Sequence, residues 1–327
     1  MRIGLPRALM LYRYSPFLKT FLEECGFEVY SSPPTNLSIL RAGTAVCIDD
    51  ICVAVKVFFG HVAYLAKDVD AILIPRMVSV EKSKHPTFTC PKLIAAPDMI
   101  RHSFPHLPTL LEFTVDLQKV PWWWACIRLG KHLGVPMWRM VRAYIAAVLE
   151  DRRYERLLHS GLFPDDAMAR LEGNGTSGPP SYLHEGDISV AIVGHPYLLG
   201  DSLLNQRLVH WLQASGARVY GSTMLNGEDV EKEIAHLLPL SWSYERELLE
   251  AAAYFLNRRD VDGVIYLTSF GCGPDSIMME IVRRELRKEG DPPLLELVLD
   301  EHSVESGIRT RAEAFVDLLR HQKSKAG

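Results

Sequence analysis

Gly263-Val-Ile-Tyr-Leu-Thr-Ser-Phe-Gly-Cys-Gly-Pro-Asp275 decides the fold class. Its first half, Gly263–Thr268, is an unbroken apolar run rich in β-branched residues, the pattern of a strand covered on both faces. Glycines at 271 and 273 then let the backbone turn and approach a bulky object closely, and Pro274 fits the first turn of a helix. A buried strand that feeds a helix through a glycine turn belongs to a parallel α/β sheet.

Working outward, Ile188–Gly194, Arg218–Gly221 and Leu294–Leu299 read as companion strands. Helices are expected near 202–215, 244–258, 274–288 and 304–321. The N-terminal part alternates in the same way. Strands are expected at Arg2–Leu5, Phe27–Ser31, Ala45–Ile48 and Val69–Pro75, with helices near Pro16–Cys25 and Cys52–Ala66. The polar run Ser31-Ser-Pro-Pro-Thr35 ends one strand and offers a cap to the next helix. Between these α/β parts the strand signal vanishes from Pro121 to Leu171. There Met137, Val141, Tyr144 and Val148 recur at helical spacing opposite Arg142, Glu150 and Arg152, predicting a helical bridge. Glu172-Gly-Asn-Gly-Thr-Ser-Gly-Pro-Pro-Ser181 is the linker candidate. The expected organisation is an N-terminal α/β domain over residues 1–120, a helical bridge and linker over 121–186 and a C-terminal α/β domain over 187–327. No internal repeat of fixed period is visible.

At 327 residues, with 48% hydrophobic and 23% charged, the composition is that of a folded globular protein. A net charge of −4 supplies no broad basic field, which argues against nucleic-acid and anionic-membrane partners. No apolar run reaches the roughly 18–20 residues of a membrane helix. The opening Met1–Arg7 lacks the apolar stretch of a secretory signal, so a cytoplasmic location is expected. Six cysteines are too sparse for a disulfide scaffold, and in a reducing compartment they are thiols or metal ligands.

Gly173, Gly175 and Gly178 form a G-x-G-x-x-G, but two prolines follow where a dinucleotide site needs a helix. Walker A, H-E-x-x-H and G-x-S-x-G patterns are absent. The informative positions are Cys52, after a predicted strand and four residues before Lys56; Cys90, followed by Pro91; and Cys272, between Gly271 and Gly273. Each stands where a helix begins, and helix N–H groups stabilise a thiolate. The alternative reading is three separate core thiols, since cysteine is among the most buried residue types.

Gly4-Leu-Pro-Arg-Ala-Leu9, Cys52-x-x-Val-Lys-Val57 with Gly60-His61, Ile74-Pro-Arg-Met-Val-Ser-Val-Glu-Lys82, Cys90-Pro-Lys92 with Pro97-Asp-Met-Ile100, Gly263-Val-Ile-Tyr266 with Ser269-Phe-Gly-Cys-Gly-Pro-Asp275, and Asp300-Glu-His302 occur in one order along the chain. In these the sequence resembles activase-related proteins of the 2-hydroxyacyl-CoA dehydratase system. The resemblance is weakest over 122–180. It implies two Rossmann-like (flavodoxin-like) domains holding a [4Fe–4S] cluster between them, with Cys52, Cys90 and Cys272 as ligands and one iron open. It also implies a partner, an ATPase activator of actin-like fold with its own iron–sulfur cluster, and either a related second subunit or a homodimer. Thiolates are the standard ligands of such a centre.

Cys47 is a candidate fourth ligand, or a buried thiol on the predicted strand 45–48. Cys25 and Cys126 read as core, and a double cubane would need all six cysteines. Gly271 and Gly273 are the candidate cofactor-contacting glycines. Lys56, His61, Arg76, Glu81, Lys82, Glu301 and His302 are candidates for hydrogen bonding, proton transfer or an oxygen ligand, against the alternative of capping groups or solvated pairs. His195-Pro-Tyr197 stands with them. Trp122-Trp-Trp124 reads as an aromatic anchor. Three functions follow: a reductase or dehydratase-like component that passes low-potential electrons to a substrate, a cluster-bearing accessory subunit without turnover, and a metal-free α/β small-molecule-binding protein.

Overall fold

The computed structural model describes residues 1–82, 86–173, 186–225, 240–288 and 290–326. The chain divides into two units, Met1–Glu155 with Pro239–Ser243, and Arg156–Leu238 with Tyr244–Gly327. Both are parallel α/β units with the same strand order.

In the first unit β1 (Arg2–Leu5), β2 (Glu28–Ser31), β3 (Ala71–Ser79) and β4 (Thr109–Asp116) form a parallel sheet ordered β2-β1-β3-β4. Ile3, Leu5 and Ala71–Ile74 are buried, as expected for strands covered on both faces. Helices α1 (Leu11–Glu24), α2 (Leu37–Thr44), α3 (Val53–Leu65), α4 (Pro91–Ile94) and α5 (Ala96–Ser103) connect the strands. The cap of α2 is Asn36, whose Oδ1 accepts from Ser38 N and Ile39 N at 3.0 and 3.1 Å. Residues 45–48, expected as a strand, instead leave α2 as a turn, with Ala45 N bonded to Arg41 O and Cys47 N to Gly43 O. Their short apolar run was compatible with either state, and the helix before them took the backbone bonds.

Two helices follow, α6 (Trp122–His132) and α7 (Met137–His159). Trp122 lies against Tyr14, Phe17 and Phe113, the expected anchor, whereas Trp123 and Trp124 are exposed. The helical period of α7 holds but its inward face differs from expectation. Met140, Ala143, Ala147 and Tyr154 are buried, while Trp138, Val141, Ile145 and Leu149 are exposed. Small alanines allow close approach, and a specific bond fixes the rotation. Pro16 sits inside α1 and has no N–H, so Tyr12 O loses its helical donor. Tyr154 Oη donates to that carbonyl at 2.5 Å.

In the second unit β5 (Ile188–Val193), β6 (Ala217–Gly221), β7 (Gly263–Ser269) and β8 (Leu294–Leu299) form the sheet β6-β5-β7-β8, again all parallel. Helices α8 (Pro164–Leu171), α9 (Pro196–Gly200), α10 (Leu208–Ala214), α11 (Ser243–Leu256), α12 (Gly273–Ile281) and α13 (Glu305–Ala326) belong to it. Of the single helix expected over 202–215, residues 202–207 are a turn and α10 forms from Leu208, with α9 preceding the span. Asp201 Oδ1 accepts from Leu203 N and Leu204 N, and Asn205 Nδ2 donates to Leu198 O and Leu199 O, which breaks the helical path. A π-helical turn, Val282–Leu286, extends α12. Most of the linker, including Gly175 and Gly178, lies outside the described residues.

Candidate functional site

All six cysteines lie among the described residues and none is in a disulfide. Cys52, Cys90 and Cys272 share one local setting: each is the N-cap of a helix, α3, α4 and α12 respectively, with extended ψ. Their carbonyls begin the helices, accepting from Lys56 N, Ile94 N and Ser276 N. Cys90 and Cys272 are also equivalent in topology, each following the third strand of its sheet. Thr89 N bonds to Val78 O of β3 at 3.0 Å, and Cys272 N bonds to Ser269 O of β7 at 3.0 Å. The other three cysteines differ. Cys25 caps the C-terminus of α1, Cys126 lies within α6, and Cys47 is in the turn after α2. Burial pushes the Cys25 thiol up to about 11 and the Cys47 thiol up to about 12, and it raises Cys126 as well. These thiols resist becoming thiolates.

In the first unit Lys56 is buried one turn beyond Cys52, and its Nζ donates to Asp49 O at 2.8 Å, tying down the loop before α3. His61 is fully buried, with Nδ1 2.7 Å from Ser32 Oγ and Nε2 2.9 Å from Thr35 Oγ1. Burial, reinforced by Arg7, lowers its imidazole to about 3, so it stays neutral. Arg76 is held by two carboxylates, donating to Asp98 Oδ2 and Glu112 Oε1, each at 2.7 Å. Glu81 receives the Thr87 hydroxyl, and its carbonyl accepts from Ser79 Oγ and Gln118 Nε2. Lys82 is exposed. His61, Arg76 and Glu81 therefore tie neighbouring loops and strands together.

In the second unit Gly271 turns the chain at φ +73°, which L side chains rarely adopt, while Gly273 has open space where a Cβ would stand. Below this turn is a buried polar cluster. His195 follows β5, and its Nε2 lies 3.3 Å from Oδ1 of Asp275 in the first turn of α12. Thr268 Oγ1 donates to Asp275 Oδ2 at 3.0 Å. Glu245 of α11 and Tyr266 of β7 are buried as well, and Glu245 Oε2, Tyr266 Oη and Ser269 Oγ have no hydrogen-bond partner among the described residues. Burial pulls His195 down, but Asp275, Glu245 and Glu247 outweigh it and leave the imidazole above its ordinary value. Burial raises Glu245 and sends the Tyr266 phenol well up. Sequence reading missed Glu245 and Tyr266, because one lies in a charged helical stretch and the other in a strand core. Glu301 and exposed His302 lie in the turn after β8, where Asp300 Oδ1 accepts from His302 N and Ser303 Oγ.

Among the described residues, no group of three or more His, Cys, Asp or Glu side chains is placed to hold a metal ion. The donor chemistry fits an iron–sulfur group in kind: three thiols, each at the positive end of a helix dipole. Among the described residues no helix is long and apolar enough to cross a membrane.

Two four-stranded parallel sheets of order 2-1-3-4, each with a cysteine leading a helix from its third strand, define a two-unit Rossmann-like α/β protein. Residues 2–225, more than half of the chain, match the model of the CoA enzyme activase uncharacterised domain (DUF2229), and the chain belongs to that family. Residues 197–319 match the model of the 2-hydroxyglutaryl-CoA dehydratase D-component. The two matches make this an activase-related protein of the 2-hydroxyacyl-CoA dehydratase system. No curated protein matches. Among solved structures, a tagatose-6-phosphate ketose/aldose isomerase from Escherichia coli is 12% identical, covering 98% of this chain and 80% of its own, with a TM-score of 0.21 that carries no argument.

Proposed function

We propose that this chain is an iron–sulfur component of a 2-hydroxyacyl-CoA dehydratase-type system. It receives low-potential electrons from an ATP-hydrolysing activator and passes them to a substrate at an iron without a cysteine ligand. Cys52, Cys90 and Cys272 are the thiolate ligands of a [4Fe–4S] cluster. The observation that carries the reading is their shared placement as helix N-caps, which Cys25, Cys47 and Cys126 do not have. A cluster bound there supplies one-electron chemistry. Gly271, at positive φ, lets the Cys272 N–H bond back to Ser269 at the end of β7, and Lys56 fixes the loop that leads to Cys52.

Iron and acid-labile sulfide measured after anaerobic purification, together with the electronic spectrum, test the proposal. Stoichiometric iron and sulfide support it. Their absence from protein reconstituted under reducing conditions overturns it in favour of a metal-free α/β binding protein. Reduction by the activator followed by turnover of a 2-hydroxyacyl-CoA separates a catalytic component from an accessory subunit that only carries electrons.

A further inference from the structure

A surface helix packed on its own domain needs one apolar face, and α7 has two. Its inward face meets α1 and α6: Tyr154 Oη bonds to Tyr12 O, and the Met140 side chain fills the space above Gly130. The opposite side carries Trp138, Val141, Ile145 and Leu149, exposed by 67, 51, 55 and 56%. Their spacings of three, four and four residues draw one continuous stripe along the helix, with half-buried Val148 beside Leu149. The stripe ends at Arg152 and Arg153, which are exposed. At about 200 Å² for a large side chain, the four expose roughly 450 Å². An apolar patch of that size on a folded protein is commonly an interaction surface.

We propose that this face of α7 is the interface with a second copy of the chain, packed antiparallel across a twofold axis between Val141 and Ile145. The proposal does not depend on the cluster reading. A twofold interface must be complementary to itself, and this stripe is. Reversed on itself, it sets Val141 against Ile145 of the second copy, and Trp138 against Val148 and Leu149 of the second copy, so apolar groups meet apolar groups throughout. Charge selects the direction. A parallel pair would stack Arg152 on Arg152, whereas the antiparallel pair carries these charges to opposite ends, beyond the apolar stretch. Arg142, which flanks the stripe, is offset within its own copy by Glu24 at 3.5 Å. Two copies withdraw about 900 Å² from the four side chains alone, and the stems of flanking polar residues bring the contact to the roughly 1,000 Å² that a specific interface clears.

Sedimentation velocity of the full chain at up to about 100 μM tests the proposal, since specific interfaces of small area associate in the micromolar range. The wild type should be a dimer in exchange with monomer. Val141→Glu and Ile145→Lys each place a charge in the seam and should weaken association about tenfold or more. Both should leave the circular dichroism of the fold unchanged, because the two side chains are exposed in the single chain. Mixed in equal amounts, the two variants should associate more tightly than either does alone, since the antiparallel register sets the new carboxylate of one against the new ammonium of the other. A wild type that stays monomeric overturns the proposal, as does association that both variants leave intact. A mixture no tighter than its components overturns the antiparallel seam. A monomer that cosediments with phosphatidylserine vesicles assigns the stripe to a lipid surface and overturns the second copy.

Discussion

Gly43 and Gly60 face each other where α2 crosses α3: a Cβ on Gly43 would stand 2.8 Å from Gly60 N and overlap the Lys56 carbonyl, and one on Gly60 would overlap Ile39 O. The obstructing atoms are backbone, so the helices must separate to admit a methyl group. Gly43→Ala and Gly60→Ala should each cost roughly 1–3 kcal/mol or more, read from denaturant midpoints, despite alanine's better helix propensity. Wild-type stability in both would refute the close contact.

At Gly273 the opposite holds, since a Cβ there meets nothing within 4 Å. Gly273→Ala should leave the thermal midpoint unchanged or slightly raised, because alanine restricts the unfolded chain. Iron content then reads the ligand side separately. A stable Gly273→Ala protein that loses iron shows that the glycine makes room for a bound group.

Cysteine substitution divides the six positions. Cys52→Ala, Cys90→Ala and Cys272→Ala should each abolish or degrade the cluster, and Cys25→Ala and Cys126→Ala should retain iron near the wild-type level. Cys47, whose thiol is pushed up to about 12, should behave like the second group. Anaerobic iron analysis reads all six, and full retention in Cys272→Ala would refute its assignment.

His61 makes stability depend on pH in a defined direction. Its folded value of about 3 lies below the 6.5 of an unperturbed imidazole, so below pH 6.5 the unfolded chain binds a proton that the folded chain refuses. The His61 contribution is complete above pH 6.5 and falls as pH drops toward 3, by about 1.4 kcal/mol per pH unit. Urea unfolding at pH 5 and pH 7 should show this loss in the wild type relative to His61→Gln. Equal pH dependence in the two proteins would mean that His61 is solvated.

β5 and β7 were legible because buried parallel strands are continuous apolar runs, and β8, though only partly buried, falls on its expected Leu294–Leu299. In contrast, β4 was not read at all. It carries Glu112, which the sheet tolerates by pairing it with Arg76, and the phenylalanine, histidine and prolines just before it looked like loop. Cys90 and Cys272 were legible as helix leaders from Pro91 and from Gly271, Gly273 and Pro274, and Cys52 from the helix expected over Cys52–Ala66. The His195 cluster was not, since Glu245 in Ser-Tyr-Glu-Arg-Glu resembles a solvated helix face and only the three-dimensional fold turns it inward.

The short segment 239–243 that joins the first unit has a consequence for the order of biosynthesis. Phe88, two residues before Cys90, forms a parallel bridge with Trp242, with Phe88 N on Ser241 O at 2.8 Å and Ser243 N on Phe88 O at 3.0 Å. Thr87 and Ser243, whose hydroxyls lie 2.9 Å apart, are separated by 156 positions. At ribosomal speeds of about 5–20 residues per second, the stretch leading to Cys90 waits on the order of ten seconds or more for its last backbone partners. The first unit is thus completed late, after both central strands of its own sheet and the first two strands of the other unit have been synthesised. A nascent chain arrested before residue 241 leaves the Phe88 backbone without its two bonds to Ser241 and Ser243.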